Sequence, residues 1–267
     1  MPELPEVETI RRDLARALPG ARVERLWTSG FPLRMNKPVD VAAIRAASVG
    51  KTFGEPERKG KHLLLRTDGG VIVVHLGMSG QLLISRAAAP RAPHTHVIWS
   101  LSDGRELRFV DPRRFGLVAA GEVGGSGVEP LGGDFDDARL RDLLTGSRRV
   151  LKAFLLDQTK IAGLGNIYVC EALFLSRIHP TARADRVTGA RVGALRQAIV
   201  EVLRGAIKNR GTTLSDYRDA SGRTGRNQFR LHVYGREGEA CTRCGTLVKR
   251  RVDQGRSTFF CARCQRR

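Results

Sequence analysis

The sequence predicts an α+β protein of two domains, on three observations. The hydrophobic pattern reads as short strands up to about residue 120 and as helices from about residue 136. A glycine-rich stretch, GEVGGSGVEPLGGDF at 121–135, separates the two regimes. CTRC and CARC, sixteen residues apart, lie at the C-terminal end. At 267 residues the chain is long enough for one large or two ordinary domains.

Within 1–120, Val7, Ile10, Leu14 and Leu18 recur at helical spacing with arginines on the other face, and Pro19-Gly20 stops the helix. KHLLLRT, GVIVVHLG, HVIWSL and ELRFVD follow as short runs rich in Val, Ile, Leu and Phe. Asp68-Gly69-Gly70 and Asp103-Gly104 supply hairpin turns between them. This part predicts a mostly antiparallel β-sandwich with the first helix attached, and 121–135 predicts a linker. A helical domain is expected at 136–230: from about 136 to 215, ARLRDLL, LKAFLLDQ, NIYVCEALFLS and a longer run at 189–207 are helical in period. DYRDASGRTGRNQFR at 216–230 is polar, basic and glycine-containing, which predicts a mobile loop with little core. Residues 231–267 predict a zinc finger, in which 241–267 is too small to fold on apolar burial alone and needs a staple.

The 46 basic and 27 acidic residues give a formal charge of +19. A field of that sign predicts a polyanionic partner, most simply nucleic acid, with an anionic membrane surface as the competitor. No stretch approaches the roughly 20 apolar residues of a membrane span. The N-terminus lacks the basic, apolar and cleavable layout of a signal peptide. A soluble cytosolic protein is expected, in which the five cysteines are not disulfide material.

Four of those cysteines form the most specific motif. Each C-x2-C pair puts two thiolates on a tight turn, and a hairpin brings Cys241, Cys244, Cys261 and Cys264 around a tetrahedral Zn²⁺. Four sulfurs close the site, so the metal is structural. Arg256 falls at the hairpin tip, a position suited to a phosphate contact. Most neighbouring basic residues read as solvated surface.

KIAGLGNIYVCEALF joins two helical segments through a glycine-flanked turn, with Asn166 as the expected N-cap. Free N–H groups at such a helix start suit a phosphate, and Lys152 adds a charge. An ordinary helix connection fits the same letters equally well. In VDPRRFG, Arg113 and Phe115 alternate, so a strand geometry points both one way. That pair suits insertion into a base stack, although a salt-bridged turn with a core phenylalanine is the simpler reading. Met78, at the apex of HLGMSG, reads as a buried methionine or as a second wedge. His94 and His96 in PHTHV lack a third ligand and read as structural, as does Cys170 on its helix.

The opening MPELPEVETI also has two readings. Proline suits a first helical turn, and Glu3, Glu6 and Glu8 complement the helix dipole. Alternatively, loss of Met1 leaves Pro2 as a secondary amine. Its pKa of about 8, against about 10.4 for lysine, makes it a nucleophile near neutrality. A neighbouring carboxyl then carries the proton.

Taken together, these residues resemble the formamidopyrimidine-DNA glycosylase family of base-excision repair enzymes, which includes the endonuclease VIII branch. PELPEVET at 2–9, GKHLLL at 60–65, HLGMSG at 75–80, DPRRFG at 111–116, LLDQ at 155–158, GLGNIY at 163–168, VYGREG at 233–238 and the cysteine finger all fall in family order. Leu4 in PELPE resembles the formamidopyrimidine branch. The resemblance implies a helix-two-turn-helix in the second domain and one structural zinc. It implies a bifunctional enzyme that excises oxidised purines, 8-oxoguanine and formamidopyrimidines, from duplex DNA. N-terminal proline Schiff-base chemistry would be followed by β,δ-elimination at the abasic site. The implied setting is a monomer in a bacterial cytoplasm, associated with the nucleoid when bound to damaged double-stranded DNA, without membrane contact.

By the same resemblance, Pro2 is the nucleophile, Glu3 its acid–base partner and Glu6 a supporting carboxylate. Lys61 contacts phosphate near the lesion. Met78, Arg113 and Phe115 fill the gap left by the extruded nucleotide. Lys152, Asn166, Arg256 and Tyr234 contact phosphates, and His94 is placed with the DNA-contacting set. Two segments depart from the family pattern. SGVEPL stands where the family has an LGPEPL-like stretch. Gly225 is followed by Arg226-Asn227-Gln228-Phe229, where the family reads glycine, any residue, phenylalanine, glutamine. The displaced aromatic leaves the preferred base open.

Overall fold

In the computed structural model, which describes residues 1–34 and 36–266, the first helix forms where the apolar spacing places it. α1 spans Leu4–Ala17, with Glu3 as its N-cap and a reciprocal capping box between Glu3 and Glu6. It buries Leu4, Val7, Ile10 and Leu14. The chain divides into two compact units, Met1–Gly124 with Asn209–Gln228, and Gly125–Lys208 with Phe229–Arg267.

The first unit continues with β1 (Val23–Thr28), α2 (Val41–Ser48), β2 (Glu57–Lys59), β3 (His62–Thr67), β4 (Gly70–His75), β5 (Gln81–Arg86), β6 (Thr95–Leu101), β7 (Arg105–Val110) and β8 (Leu117–Ala120). Two four-stranded antiparallel sheets result, in the orders β1-β6-β7-β5 and β2-β3-β4-β8. Their inward residues, among them Val23, Leu63, Ile72, Val97, Trp99 and Phe109, share one core with Ile10 and Leu14 of α1 and Ile44 of α2. Asp68-Gly69 makes the expected tight hairpin, with Thr67 paired to Gly70.

The loop expected to be mobile is packed. Tyr217 and Ala220 belong to the sandwich core. The Ile84 amide donates to the Ala220 carbonyl at 2.8 Å, and the Gln81 side chain donates to the Asp216 carbonyl at 2.7 Å. Two isolated apolar residues in a polar run leave no periodic trace, so the pattern concealed this strap. By its contacts, 209–228 lies with the first unit and not with the helices that precede it.

The second unit contains α3 (Asp137–Leu144), α4 (Leu151–Leu155), α5 (Asn166–Leu175), α6 (Ala190–Lys208) and the hairpin β9 (Lys249–Asp253) and β10 (Arg256–Phe260). α5 is buried from Ile167 to Phe174, so it is a central helix with no polar face. The glycine-rich stretch is not a free linker throughout. A Cβ at Gly127 would lie 2.3 Å from the Lys160 carbonyl carbon, and Val128 bridges Ile161. SGVEPL therefore docks closely, and glycine is what permits it. Val233, Val248 and the cysteine turns form a small second core around Cys170 and Phe174. Among the described residues no helix is long and apolar enough to cross a membrane.

Candidate functional site

Pro2 and Glu3 are buried at the start of α1, and Glu6 fixes their surroundings. Glu6 Oε2 accepts the Glu3 amide at 2.8 Å, and its Oε1 accepts the Thr212 amide at 2.7 Å. The Tyr217 hydroxyl donates to the Glu6 carbonyl at 3.4 Å. Burial and then the Glu6 charge push the Tyr217 phenol upward, so it stays a donor. Gly211, at φ +81°, lets the loop backbone approach this carboxylate; a Cβ there would stand 3.0 Å from Glu6 Oε1. The N-terminal end of α1 and the 209–228 strap thus meet at one side chain.

Lys61 is buried at the Gly60-Lys61 tip between β2 and β3. Beside it, the His62 and His75 rings lie 4.8 Å apart. His75 Nδ1 accepts the Gly77 amide at 3.0 Å. Burial, followed by the charges of His62, Arg34 and Lys61, lowers the His75 pKa to about 3. The ring is therefore neutral near pH 7, with its proton on Nε2 as a donor.

The HLGMSG and DPRRFG turns interlock around Asp111, which is fully buried. Its Oδ1 accepts the Ser79 hydroxyl at 2.6 Å and the Arg113 amide at 3.2 Å. Its Oδ2 accepts the Gly116 amide at 2.8 Å. A Cβ at Gly77 would meet the Phe115 carbonyl carbon at 2.5 Å. Met78 is 41% exposed on one turn. On the other, the Arg113 guanidinium lies 5.0 Å from the Phe115 ring centroid. The expected strand alternation is replaced by a turn, with Arg114 at φ +55°, yet the arginine and the aromatic still act as one stacked pair. His96 is structural, bonded to the Asp111 carbonyl at 3.1 Å and to Ser29 Oγ at 3.0 Å. His94 precedes β6, exposed and at φ +60°, so the two histidines share no strand face.

In the second unit, the turn between α4 and α5 is stitched by Gln158, which donates to the Leu156 and Leu164 carbonyls and accepts the Gly163 amide. The N-cap of α5 is Gly165, and Asn166 is the first helical residue. This corrects the sequence expectation: Gly165 supplies the extended backbone, and the Asn166 side chain is committed elsewhere. Its Nδ2 donates to the Ser257 carbonyl at 2.8 Å, while Oδ1 is buried without a partner among the described residues. Lys152 Nζ donates to Thr258 Oγ1 at 2.7 Å and to the Ser257 carbonyl at 3.2 Å. Burial lowers its pKa. Both expected phosphate ligands are thus anchored on β10, which begins at Arg256. Gln254 and Gly255 both have positive φ, giving the tight tip that exposes Arg256. A cleft of about 700 Å³ is lined by Arg149, Lys152, Arg251 and Arg256.

Tyr234 stacks edge-on against Phe259, with centroids 5.0 Å apart. Its amide and those of His232 and Val233 all donate to Glu171, at 2.9, 2.8 and 2.9 Å. The sulfurs of Cys241, Cys244, Cys261 and Cys264 lie within 4.8 Å of one another. The Cys241–Cys264 and Cys244–Cys261 pairs stand at 3.9 and 3.5 Å. A tetrahedral Zn–S length of about 2.3 Å puts sulfurs about 3.8 Å apart, so the set fits one structural Zn²⁺.

Sequence reading did not single out Arg58, Glu171 or His75 individually. An isolated arginine or glutamate carries no signal of burial. His75 could have been found inside HLGMSG, where it ends a strand beside a glycine turn.

Pro2 buried beside acids, a sandwich whose turns carry exposed Met78 and the Arg113–Phe115 pair, a helix pair joined by a glycine turn and a four-cysteine hairpin together define a DNA-repair glycosylase scaffold. The comparisons agree. The formamidopyrimidine-DNA glycosylase N-terminal domain matches residues 1–118, its H2TH domain 126–218, and the zinc finger found in FPG and IleRS 238–267. The formamidopyrimidine-DNA glycosylase of Herpetosiphon aurantiacus is 43% identical over 99% of this chain and all of its own length. That of Rhizorhabdus wittichii is 45% identical, with both chains fully covered. The Lactococcus lactis Fpg in complex with abasic-site DNA superposes with a TM-score of 0.90 at 34% identity, covering 99% of this chain and 100% of that one. MutM (Fpg) of Thermus thermophilus gives 0.85 at 40% identity, over 99% and 98%. The chain belongs to the formamidopyrimidine-DNA glycosylase family.

Proposed function

We propose that this protein excises oxidised purines, 8-oxoguanine and formamidopyrimidines, from duplex DNA and then cleaves the strand as an abasic-site lyase. The observation that carries this reading is the Pro2–Glu3 pair, buried and held by Glu6 at the start of α1. Relatives support the substrate class, since Lactococcus lactis Fpg has been crystallised with abasic-site DNA and a mutant of it with Fapy-dG DNA.

The chemistry starts when Met1 is removed and the Pro2 nitrogen becomes a free amine. A damaged base cannot be reached inside the stack, so the nucleotide is flipped out. Met78, Phe115 and Arg113 fill the space it leaves, with Arg113 facing the orphaned base. The Pro2 nitrogen attacks C1′, the glycosidic bond breaks, and the base leaves with a proton delivered through Glu3. Opening of the C1′–O4′ bond gives an iminium. Loss of a C2′ proton then expels the 3′ phosphate, and a second elimination expels the 5′ phosphate. Water hydrolyses the remaining conjugate. Lys61 holds phosphate near the lesion. Lys152, Asn166, Tyr234 and Arg256 hold phosphates from the second unit, and His94 lies with the DNA-contacting surface. Zinc braces the finger and takes no part in the reaction. The working form is a monomer in the bacterial cytoplasm, next to the nucleoid.

Borohydride trapping tests the reading on duplexes carrying 8-oxoguanine, a formamidopyrimidine, an oxidised pyrimidine or an abasic site. A covalent complex with the oxidised purines, lost in Pro2→Gly while DNA binding persists, is expected. Trapping on the abasic duplex alone would remove the purine assignment. No trapping after confirmed loss of Met1 would make this a binding protein.

A further inference from the structure

Arg58 joins two parts of the first unit that carry the proposed chemistry. Its Nε donates to Glu8 Oε2 at 3.2 Å, and its Nη1 donates to the Gly60 carbonyl at 3.0 Å. The arginine side chain is only 10% exposed. Glu8 lies on α1, whose first residues follow Pro2 and Glu3. Gly60 is the tip residue before Lys61, held at φ +57°.

The tip needs such a brace. β2 is three residues long and sits at the edge of its sheet. A short edge hairpin has little stability of its own. Neutralising Glu8 does not account for the arginine, because Arg11 and Arg12 already donate to that carboxylate at 2.9 and 2.8 Å. Burial alone would raise the Glu8 pKa; the hydrogen bonds from Arg11 and Arg12 outweigh it and hold the carboxyl below its usual range. Arg58 donates in addition to the tip carbonyl. Its planar fork can serve a carboxylate and a carbonyl at once, whereas an ammonium on a flexible stem holds neither direction firmly.

We infer that Arg58 is a positioning residue, which fixes the Gly60-Lys61 tip to α1 and so sets the Lys61 ammonium relative to the Pro2 amine. The inference rests on the reading of Lys61 as the phosphate contact at the reacting nucleotide. Misplacement of a contact by about 1 Å can cost on the order of 100-fold in rate.

The test is single-turnover borohydride trapping on an abasic duplex, with saturating zinc-loaded full-length protein. Arg58→Ala is expected to slow trapping about 10- to 100-fold. Lys61→Ala is expected to be slow as well, and the double variant should match Lys61→Ala within about twofold. Arg58→Lys should recover only part of the rate. Glu8→Gln, which loosens the helix end of the link and leaves the arginine in place, gives a second route if Arg58→Ala does not fold; its loss should likewise vanish in the Lys61→Ala background. Losses that multiply in the double variants, or wild-type rates in the single ones, overturn the inference while leaving the proposed function standing. A wild-type protein that traps no duplex overturns both.

Discussion

Removing the Glu171 carboxylate should cost more than almost any other single change in the second unit. Its two oxygens accept three consecutive backbone amides, His232, Val233 and Tyr234, and the side chain is buried. Hydrogen bonds to a charged group contribute about 1.5–3 kcal/mol each, and buried donors left unpaired cost about 1–3 kcal/mol. Glu171→Ala orphans all three, for an expected loss of about 4 kcal/mol, at the upper end of single-residue effects. Glu171→Gln differs in a specific way. Oε1, which takes Val233 and Tyr234, can be kept as the amide oxygen. The new NH₂ then faces the His232 N–H, donor against donor, for a loss of about 2 kcal/mol. Two units make one melting temperature ambiguous, so the assay is native-state hydrogen exchange at the Val233 amide. At about 1.4 kcal/mol per tenfold, protection should fall about 10³-fold in the alanine variant and about 30-fold in the glutamine variant. Protection within threefold of wild type in Glu171→Ala would refute the assignment of this carboxylate as the anchor of the Tyr234 segment.

Three further outcomes are expected. Asn227→Ala removes the amide that donates to Thr212 Oγ1 at 2.9 Å and accepts from Asn209 at 3.2 Å; base excision should fall about tenfold while cleavage of a preformed abasic site changes less than threefold, and a parallel loss in gel-based assays of both would contradict a role confined to the strap. Chelating the zinc, whose binding supplies about 10–16 kcal/mol of apparent free energy in comparable fingers, should dissolve the β9–β10 hairpin and strip Lys152 and Asn166 of their Ser257 and Thr258 acceptors; DNA affinity measured against zinc content should fall with it. His75 has a folded pKa of about 3 against about 6.5 unfolded, so below pH 6.5 the unfolded state takes up a proton that the folded state refuses, and its stability contribution drains as pH falls through that window. By pH 5 the loss is about 2 kcal/mol, and His75→Gln should flatten that part of the pH–stability curve in urea titrations.

The sequence carried the sandwich, the helical half and the finger because each has a repeating or spaced signal. Short apolar runs between turn signals mark β3, β4, β6 and β7, period marks α1 and α6, and four cysteines mark the metal site. The roles proposed for Pro2 and Met78 were reached through motif order, since either residue alone reads as easily as ordinary structure. Contacts between distant segments left no such mark. Tyr217 entering the sandwich core, Arg58 bracing a tip and Glu171 gathering three amides each depend on where the chain returns in space. Asn166 illustrates a local miss: asparagine favours the N-cap, but Gly165 already provided it, which released the side chain to hold β10.

One carboxylate answering to both Glu3 and Thr212 makes the strap and the start of α1 a single adjustable part. Whatever shifts the strap at Thr212 must pull on the amide next to Pro2, and the coupling runs equally in reverse. Evolution or engineering aimed at a new damaged base therefore has unequal freedom along this segment. The exposed stretches 214–216 and 221–224 can be rewritten at little cost to the contacts around Pro2. The Gly211-Thr212 backbone is held by the same carboxylate as the Glu3 amide and cannot be traded independently of it.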